Sequence, residues 1–139
     1  MRIFILMVLL TGISSGAMAE QKGNPTEAVE VGNGFNGDRV FAYPSSIKKV
    51  GSEVKMWDLF NSATPQALPG HPPYLSKVTQ VQYRCTSGTM RTLYTNIYSK
   101  PDGKGNKILF TDTTNLLEWT PVAPGSAYEA LLKFACEKK

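Results

Sequence analysis

Apolar and polar residues alternate most cleanly over Leu75 to Cys85. Val81, Tyr83 and Cys85 take one side, and Gln80, Gln82 and Arg84 take the other. A period of two predicts a half-buried strand with Cys85 on its inward face. Thr86 to Thr89 reads as a tight turn, and Met90 to Ser99 as the returning strand of a hairpin. In that second strand the pattern does not choose a face, because Leu93 and Ile97 fall on one side and Tyr94 and Tyr98 on the other. Upstream, Val40 to Tyr43 predicts a short strand ended by Pro44, with Ser45 to Val50 as a connector. Val54 to Phe60, rich in Val, Met, Trp, Leu and Phe, predicts a longer strand. Asn61 to Tyr74 contains Pro65, Pro69, Pro72 and Pro73 and reads as a long loop. Pro101 to Asn106 is a glycine-rich loop, Lys107 to Thr111 a short last strand, and 113–125 irregular.

The period changes to that of a helix at the C-terminal end. Ser126 is a candidate N-cap and Glu129 completes an S-x-x-E capping box. Tyr128, Leu131, Leu132 and Ala135 then recur at helical spacing as one apolar stripe, with Cys136 at its edge. Strands followed by a single helix predict an α+β domain: an antiparallel sheet of five clear strands and one C-terminal helix. A sixth strand has room in residues 113–122 or near Ser46.

The first 19 residues have a different character. Arg2 precedes the apolar run Ile3 to Leu10, which is too short to span a bilayer, and Ala17-Met18-Ala19 has the small-x-small form of a cleavage site. This predicts a signal peptide over 1–19, a flexible polar leader over 20–37 rich in Gly and Asn, and one domain over 38–139. Neither cysteine lies at the cleavage site, so the expected address is periplasmic or secreted without a lipid anchor. Export places Cys85 and Cys136 in an oxidising compartment, where two cysteines pair. Both point toward the sheet–helix interface, so the expected disulfide staples the helix to the sheet.

Charge and candidate chemistry narrow the function less. Of 15 Lys and Arg, 14 remain once Arg2 is removed, against 11 Asp and Glu. That mild excess is not a nucleic-acid signature, and no second apolar stretch approaches membrane length. His71 is the single histidine, without a partner for a triad or a metal site. The loop after Pro101 precedes a strand rather than a helix, which excludes a phosphate cradle. No catalytic set, metal site or cofactor is expected. Trp57, Tyr94, Tyr98 and Trp119 are large amphipathic rings of the kind enriched at binding surfaces; the competing reading places them in the core or in a dimer contact. Lys100, Lys104 and Lys107 cluster at one hairpin tip, and Lys48-Lys49 forms a second basic pair.

Ordered short motifs run along the chain. They are Tyr43, Ser45-Ser46-Ile47, Lys49 and Gly51; Trp57 with Leu59; Tyr83-Arg84-Cys85; and Tyr98 with Gly105. Glu118-Trp119, Pro121-Val122, Pro124-Gly125-Ser126 and Ala135-Cys136 close the series. Over Asp38 to Cys136 the chain resembles the surface-adhesin protein E family of small exported bacterial proteins. The resemblance implies about six antiparallel strands, a C-terminal helix tied by a disulfide, and binding of host matrix proteins such as vitronectin and laminin. The leading functional expectation is a non-enzymatic exported binding protein. The alternative is an inhibitor of an exported hydrolase such as lysozyme, and an enzyme ranks last.

Overall fold

The structure, a computed structural model, describes residues 27–137. The signal peptide and the start of the polar leader lie outside the described residues. Eight strands form one antiparallel sheet: β1 Val29–Asn33, β2 Arg39–Ala42, β3 Lys48–Val50, β4 Glu53–Leu68, β5 His71–Arg84, β6 Thr89–Tyr98, β7 Lys107–Asp112 and β8 Thr120–Pro121. Their order is β1-β2-β4-β5-β6-β7, with β3 also on β4 and β8 also on β6. Helix α1, Ala127–Glu137, lies across β1, β2, β4 and β5. The α+β class holds, but the strand count exceeds the five or six expected. The additional strands include β3 and β8, which occupy both of the places given as alternatives for a single sixth strand.

β3 and β8 are short because each continues a broken edge. Ala42 pairs Asp58 on β4, and Lys48 pairs Lys55 on the same edge. Between them Pro44 has no N–H to donate to a ladder. The Ser46 hydroxyl instead accepts the Trp57 N–H at 2.9 Å, so the break leaves no orphan donor. β8 repeats this on β6, where Thr89 pairs Pro121 beyond the end of β7.

Two expectations need correction. Val29–Asn33 lies in the segment read as flexible leader, yet it pairs with β2 as an edge strand. An edge strand is held by backbone bonds along one side and needs little apolar content. Val31 packs against the core, and the Glu30–Arg39 ion pair at 2.6 Å ties the two strands. The proline-rich loop is also ordered: β4 and β5 continue through it as a hairpin that turns at Pro69-Gly70, with Leu68 opposite His71. The β2 pairing ends at Asn61 of β4, and the β6 pairing starts at Ser76 of β5. The arm therefore has two open edges, where prolines forfeit no ladder bond.

Register and alternation separate the faces. Val54, Met56 and Phe60 of β4 and Val81 and Tyr83 of β5 meet Val40, Ala42, Leu131 and Ala135 in the core under α1. The half-buried Tyr128 ring packs on Phe60 with centroids 5.5 Å apart. Leu131 and Ala135 are fully buried, and burying a leucine of this kind is worth about 1.5–3 kcal/mol. Cys85 and Cys136 form the expected disulfide, with Cα atoms 5.8 Å apart.

The Glu129 N–H donates to Ser126 Oγ at 3.3 Å, as the cap predicts. The Glu129 carboxylate instead meets Lys133 at 3.5 Å, so the box is closed in one direction only. Ser126→Ala should therefore lower the unfolding free energy by about 1 kcal/mol. In urea titrations the midpoint falls while the slope stays constant; an unmoved midpoint would show that this bond does not hold the helix start.

Candidate binding surface

The ambiguous strand resolves through one irregularity. Gln80 faces Tyr94 while Val81 faces Thr92, so Leu93 is the extra residue of a β-bulge. A bulge shifts the side-chain phase by one, so the faces of Met90 and Thr92 do not carry over to Tyr94 and Tyr98. Leu93 and Ile97 are buried. Tyr94 shares the face of Gln80, turned away from α1, and this rules out the reading in which Leu93 and Ile97 are the exposed pair.

On that open face three rings form a row across the sheet. Trp57 on β4 and Tyr94 on β6 stack with centroids 6.2 Å apart and planes 15° apart. Tyr94 and Phe110 on β7 follow at 6.1 Å and 18°. Trp57 reaches this face because its neighbours Met56 and Asp58 take the core side of the alternating strand. Phe110 is 54 % exposed. Sequence reasoning missed Phe110, which ends the unbroken apolar run Ile108-Leu109-Phe110 of a short edge strand, where no alternation marks a face.

The other candidate rings have different surroundings. Tyr98 lies under the loop that follows it, where a Cβ on Gly103 would come within 3.0 Å of Val78 and 3.9 Å of Tyr98. That loop is pinned by Ser76 Oγ, which donates to the Lys100 carbonyl at 2.6 Å, and by the Asn61 amide, which donates to Asp102 at 2.8 Å. Trp119 stands against two guanidinium groups, Arg84 at 3.8 Å and Arg91 at 5.1 Å from its centroid. Arg84 in turn pairs with Glu53 at 3.2 Å, and Arg91 donates to Gln82 at 2.9 Å. This stack anchors the irregular 113–125 segment over the end of the sheet.

The lysines divide in the same way. Lys107 Nζ lies 5.9 Å from the Tyr98 centroid and 5.8 Å from that of Phe110, joining the ring row to the loop. Lys100 and Lys104 are exposed on the loop itself, linked through the Lys100 N–H and the Lys104 carbonyl at 3.1 Å. Asp112, opposite Tyr94, accepts from the Thr114 hydroxyl and N–H, and those bonds hold its carboxyl below the usual range. A shallow cavity of about 190 Å³ lies elsewhere, beside the disulfide, between Lys49, Ser52 and Cys136.

An open sheet face with a helix stapled to its back can be compared with known proteins. The profile of the family described as surface-adhesin protein E matches residues 29–137. The chain belongs to that family. Membership places it among exported surface-adhesin-like proteins, and no helix among the described residues is long and apolar enough to cross a membrane. Two solved structures of Haemophilus influenzae protein E share the fold. Crystal form II has a TM-score of 0.60 at 13% identity, covering 86% of this chain and 94% of that one. Protein E from non-typeable Haemophilus influenzae has a TM-score of 0.56 at 13% identity, covering 86% and 82%. No curated protein sequence matches the chain. The family match starts at the first residue of β1, in agreement with the correction to the leader.

Proposed function

We propose that this protein is a non-enzymatic exported binding domain whose macromolecular partner, on the host matrix or the cell envelope, docks on the open sheet face around Trp57, Tyr94 and Phe110. The observation that carries this reading is the three-ring row on the face away from α1, with Phe110 more than half exposed. Aromatic rings of this type supply large contact area at low entropic cost. The disulfide and the buried helix make the sheet a rigid support, so little ordering is required on binding. Export through residues 1–19 delivers the chain to the periplasm or the medium, and fractionation of expressing cells reads that address directly.

The test uses a Tyr94→Ala, Phe110→Ala variant against immobilised vitronectin, laminin and envelope extract. Binding of at least one partner should weaken by about tenfold or more, corresponding to about 1.4 kcal/mol or more, while the melting temperature shifts little. Unchanged binding to every partner would overturn the reading. So would collapse of the fold on removing Phe110 alone, because that would make the row part of the core.

A second reading, inhibition of an exported hydrolase such as lysozyme, rests on the projecting arm at the β4–β5 turn. Between Asn61 and Ser76 it contains no Asp, Glu, Lys or Arg, and it extends beyond both neighbouring strands, the shape of an element that enters a cleft. A lysozyme turnover assay with the arm shortened at Pro69-Gly70 separates the two: loss of inhibition on shortening assigns the arm, and absence of inhibition by the intact protein removes this reading.

A further inference from the structure

Two turns of this chain share one backbone shape and differ in how they are fastened. Phe35-Asn36-Gly37 joins β1 to β2, and Pro101-Asp102-Gly103 lies in the loop from β6 to β7. Asn36 is at φ 62°, ψ 25° and Asp102 at φ 64°, ψ 24°, each followed by a glycine of positive φ. In the second turn the Asp102 carboxylate accepts from the Asn61 amide at 2.8 Å, and the Gly103 N–H donates to Ser76 Oγ at 2.9 Å. A Cβ on Gly103 would come within 3.0 Å of Val78, so that turn is also packed from below. The first turn stands bare. Phe35 is 90 % exposed, Asn36 and Gly37 are exposed, and among the described residues nothing lies within 4 Å of a Cβ built on Gly37.

An asparagine followed by glycine has a reaction of its own. The glycine backbone nitrogen, on losing its proton, attacks the side-chain carbonyl carbon of the asparagine. The C–N bond to the amide breaks, ammonia leaves, and a succinimide ring remains. Water opens the ring at either carbonyl to give aspartate or isoaspartate, so water is consumed, ammonia is released and no oxidant takes part. Glycine favours the attack because no Cβ obstructs the approach. The Asn36 backbone must first rotate away from ψ 25°. The reaction therefore passes through opening of the turn, a local event that is easy where no side chain packs on the backbone. Asn33-Gly34 is the same dipeptide in a closed setting. Asn33 pairs with Arg39 in the ladder, the Gly34 N–H donates to the Asp38 carbonyl at 2.7 Å, and a Cβ on Gly34 would meet that of Asp38 at 3.2 Å. Asn61, before Ser62, is held by two bonds to Asp102.

We infer that Asn36 is a self-modifying site: in the folded protein it deamidates through the Gly37 nitrogen, while Asn33, Asn61 and the Asp102-Gly103 step are held unreactive by their hydrogen bonds. The product places a new carboxylate on the turn, two residues before Asp38, and the isoaspartyl form lengthens the turn by a backbone carbon. The hairpin so altered includes β1, whose Val31 packs against the core. The site lies apart from the ring row and does not depend on what that row binds.

The experiment is incubation of the full exported protein in mildly alkaline buffer, with peptide mapping by mass spectrometry over successive days. The mass gain of an amide-to-acid exchange should accumulate at Asn36 about tenfold or more faster than at Asn33, the difference between a bare turn and a paired strand. Labelling by an isoaspartyl methyltransferase should rise in step, and the rate should increase with pH, because the Gly37 nitrogen must lose its proton. In denaturant the two Asn-Gly steps should react at similar rates. Asn36→Gly keeps the left-handed backbone without the amide, and should remove both the acidic species and the methyl label. Equal rates at Asn33 and Asn36 in the folded protein overturn the inference, as does earlier reaction at Asn61 or Asp102. An acidic species that persists in Asn36→Gly overturns it too, and so does a preference for Asn36 that is as large in denaturant as in the folded protein.

Discussion

Replacing Cys85 and Cys136 together with serine should lower the unfolding free energy by about 4 kcal/mol, the loop-closure entropy of a cross-link spanning roughly 50 residues. The bridge joins residues 51 apart in sequence, from the end of β5 to the last turn of α1. Small domains are stable by about 5–15 kcal/mol, so the change takes a large share of the total. The helix alone offers little resistance, because an eleven-residue helix is marginal in water without tertiary support. Guanidinium titrations of the oxidised protein and the double variant measure the difference. A loss below about 1 kcal/mol would show that packing of Leu131 and Ala135 holds the helix without the bridge. Thiol labelling of the native oxidised protein should find neither cysteine reactive.

The second large effect concerns Asp58, a carboxyl fully buried on the helix face of β4. Among the described residues neither of its oxygens has a hydrogen-bond partner at ordinary geometry, and the same holds for Thr79 Oγ1 and Tyr83 Oη. Burial pushes the Asp58 carboxyl well above the usual carboxylate range, with the Lys77 charge and the neighbouring Thr79 hydroxyl acting in the opposite direction. Tyr83 and Tyr128 feel the same burial, and the Asp58 charge raises them further. The folded state thus favours the protonated acid, while the unfolded chain ionises near 3.8. The contribution of this group to stability is complete below that value and is lost as pH rises toward the folded-state value, by up to about 1.4 kcal/mol per pH unit. Asp58→Asn cannot ionise. Its stability should match that of the parent near pH 3 and exceed it by a growing margin from about pH 4 upward through that window. Parallel pH profiles for the two proteins would show that Asp58 has found a charge partner on folding.

Some of this was legible in the chain and some was not. The strand over Leu75 to Cys85, the capped helix after Ser126 and the pairing of the cysteines follow from local periodicity and compartment. Each is a property of a short segment whose environment its own pattern announces. The face of Tyr94 was hidden because β6 carries large apolar or aromatic side chains on both sides, and the bulge at Leu93 cuts their phase off from that of Met90 and Thr92. Phe110 carried little signal for the same kind of reason: on a short edge strand, an exposed ring and a buried one have the same pattern. The prolines of the β4–β5 arm signalled a loop because their compatibility with a strand depends on which neighbouring strands stop short of them.

The amino-acid sequence by itself determined the class of fold, the staple between helix and sheet, and membership of a family of exported adhesin-like domains. Periodicity, capping and cysteine placement act within one element or between two, and they need no knowledge of the rest. Only the tertiary structure decided that Trp57, Tyr94 and Phe110 form one row, that Tyr98 supports a loop instead, and that Trp119 locks a segment between Arg84 and Arg91. These contacts join residues on different strands through register, and register is set by the burial of the opposite face and by the bulge in β6.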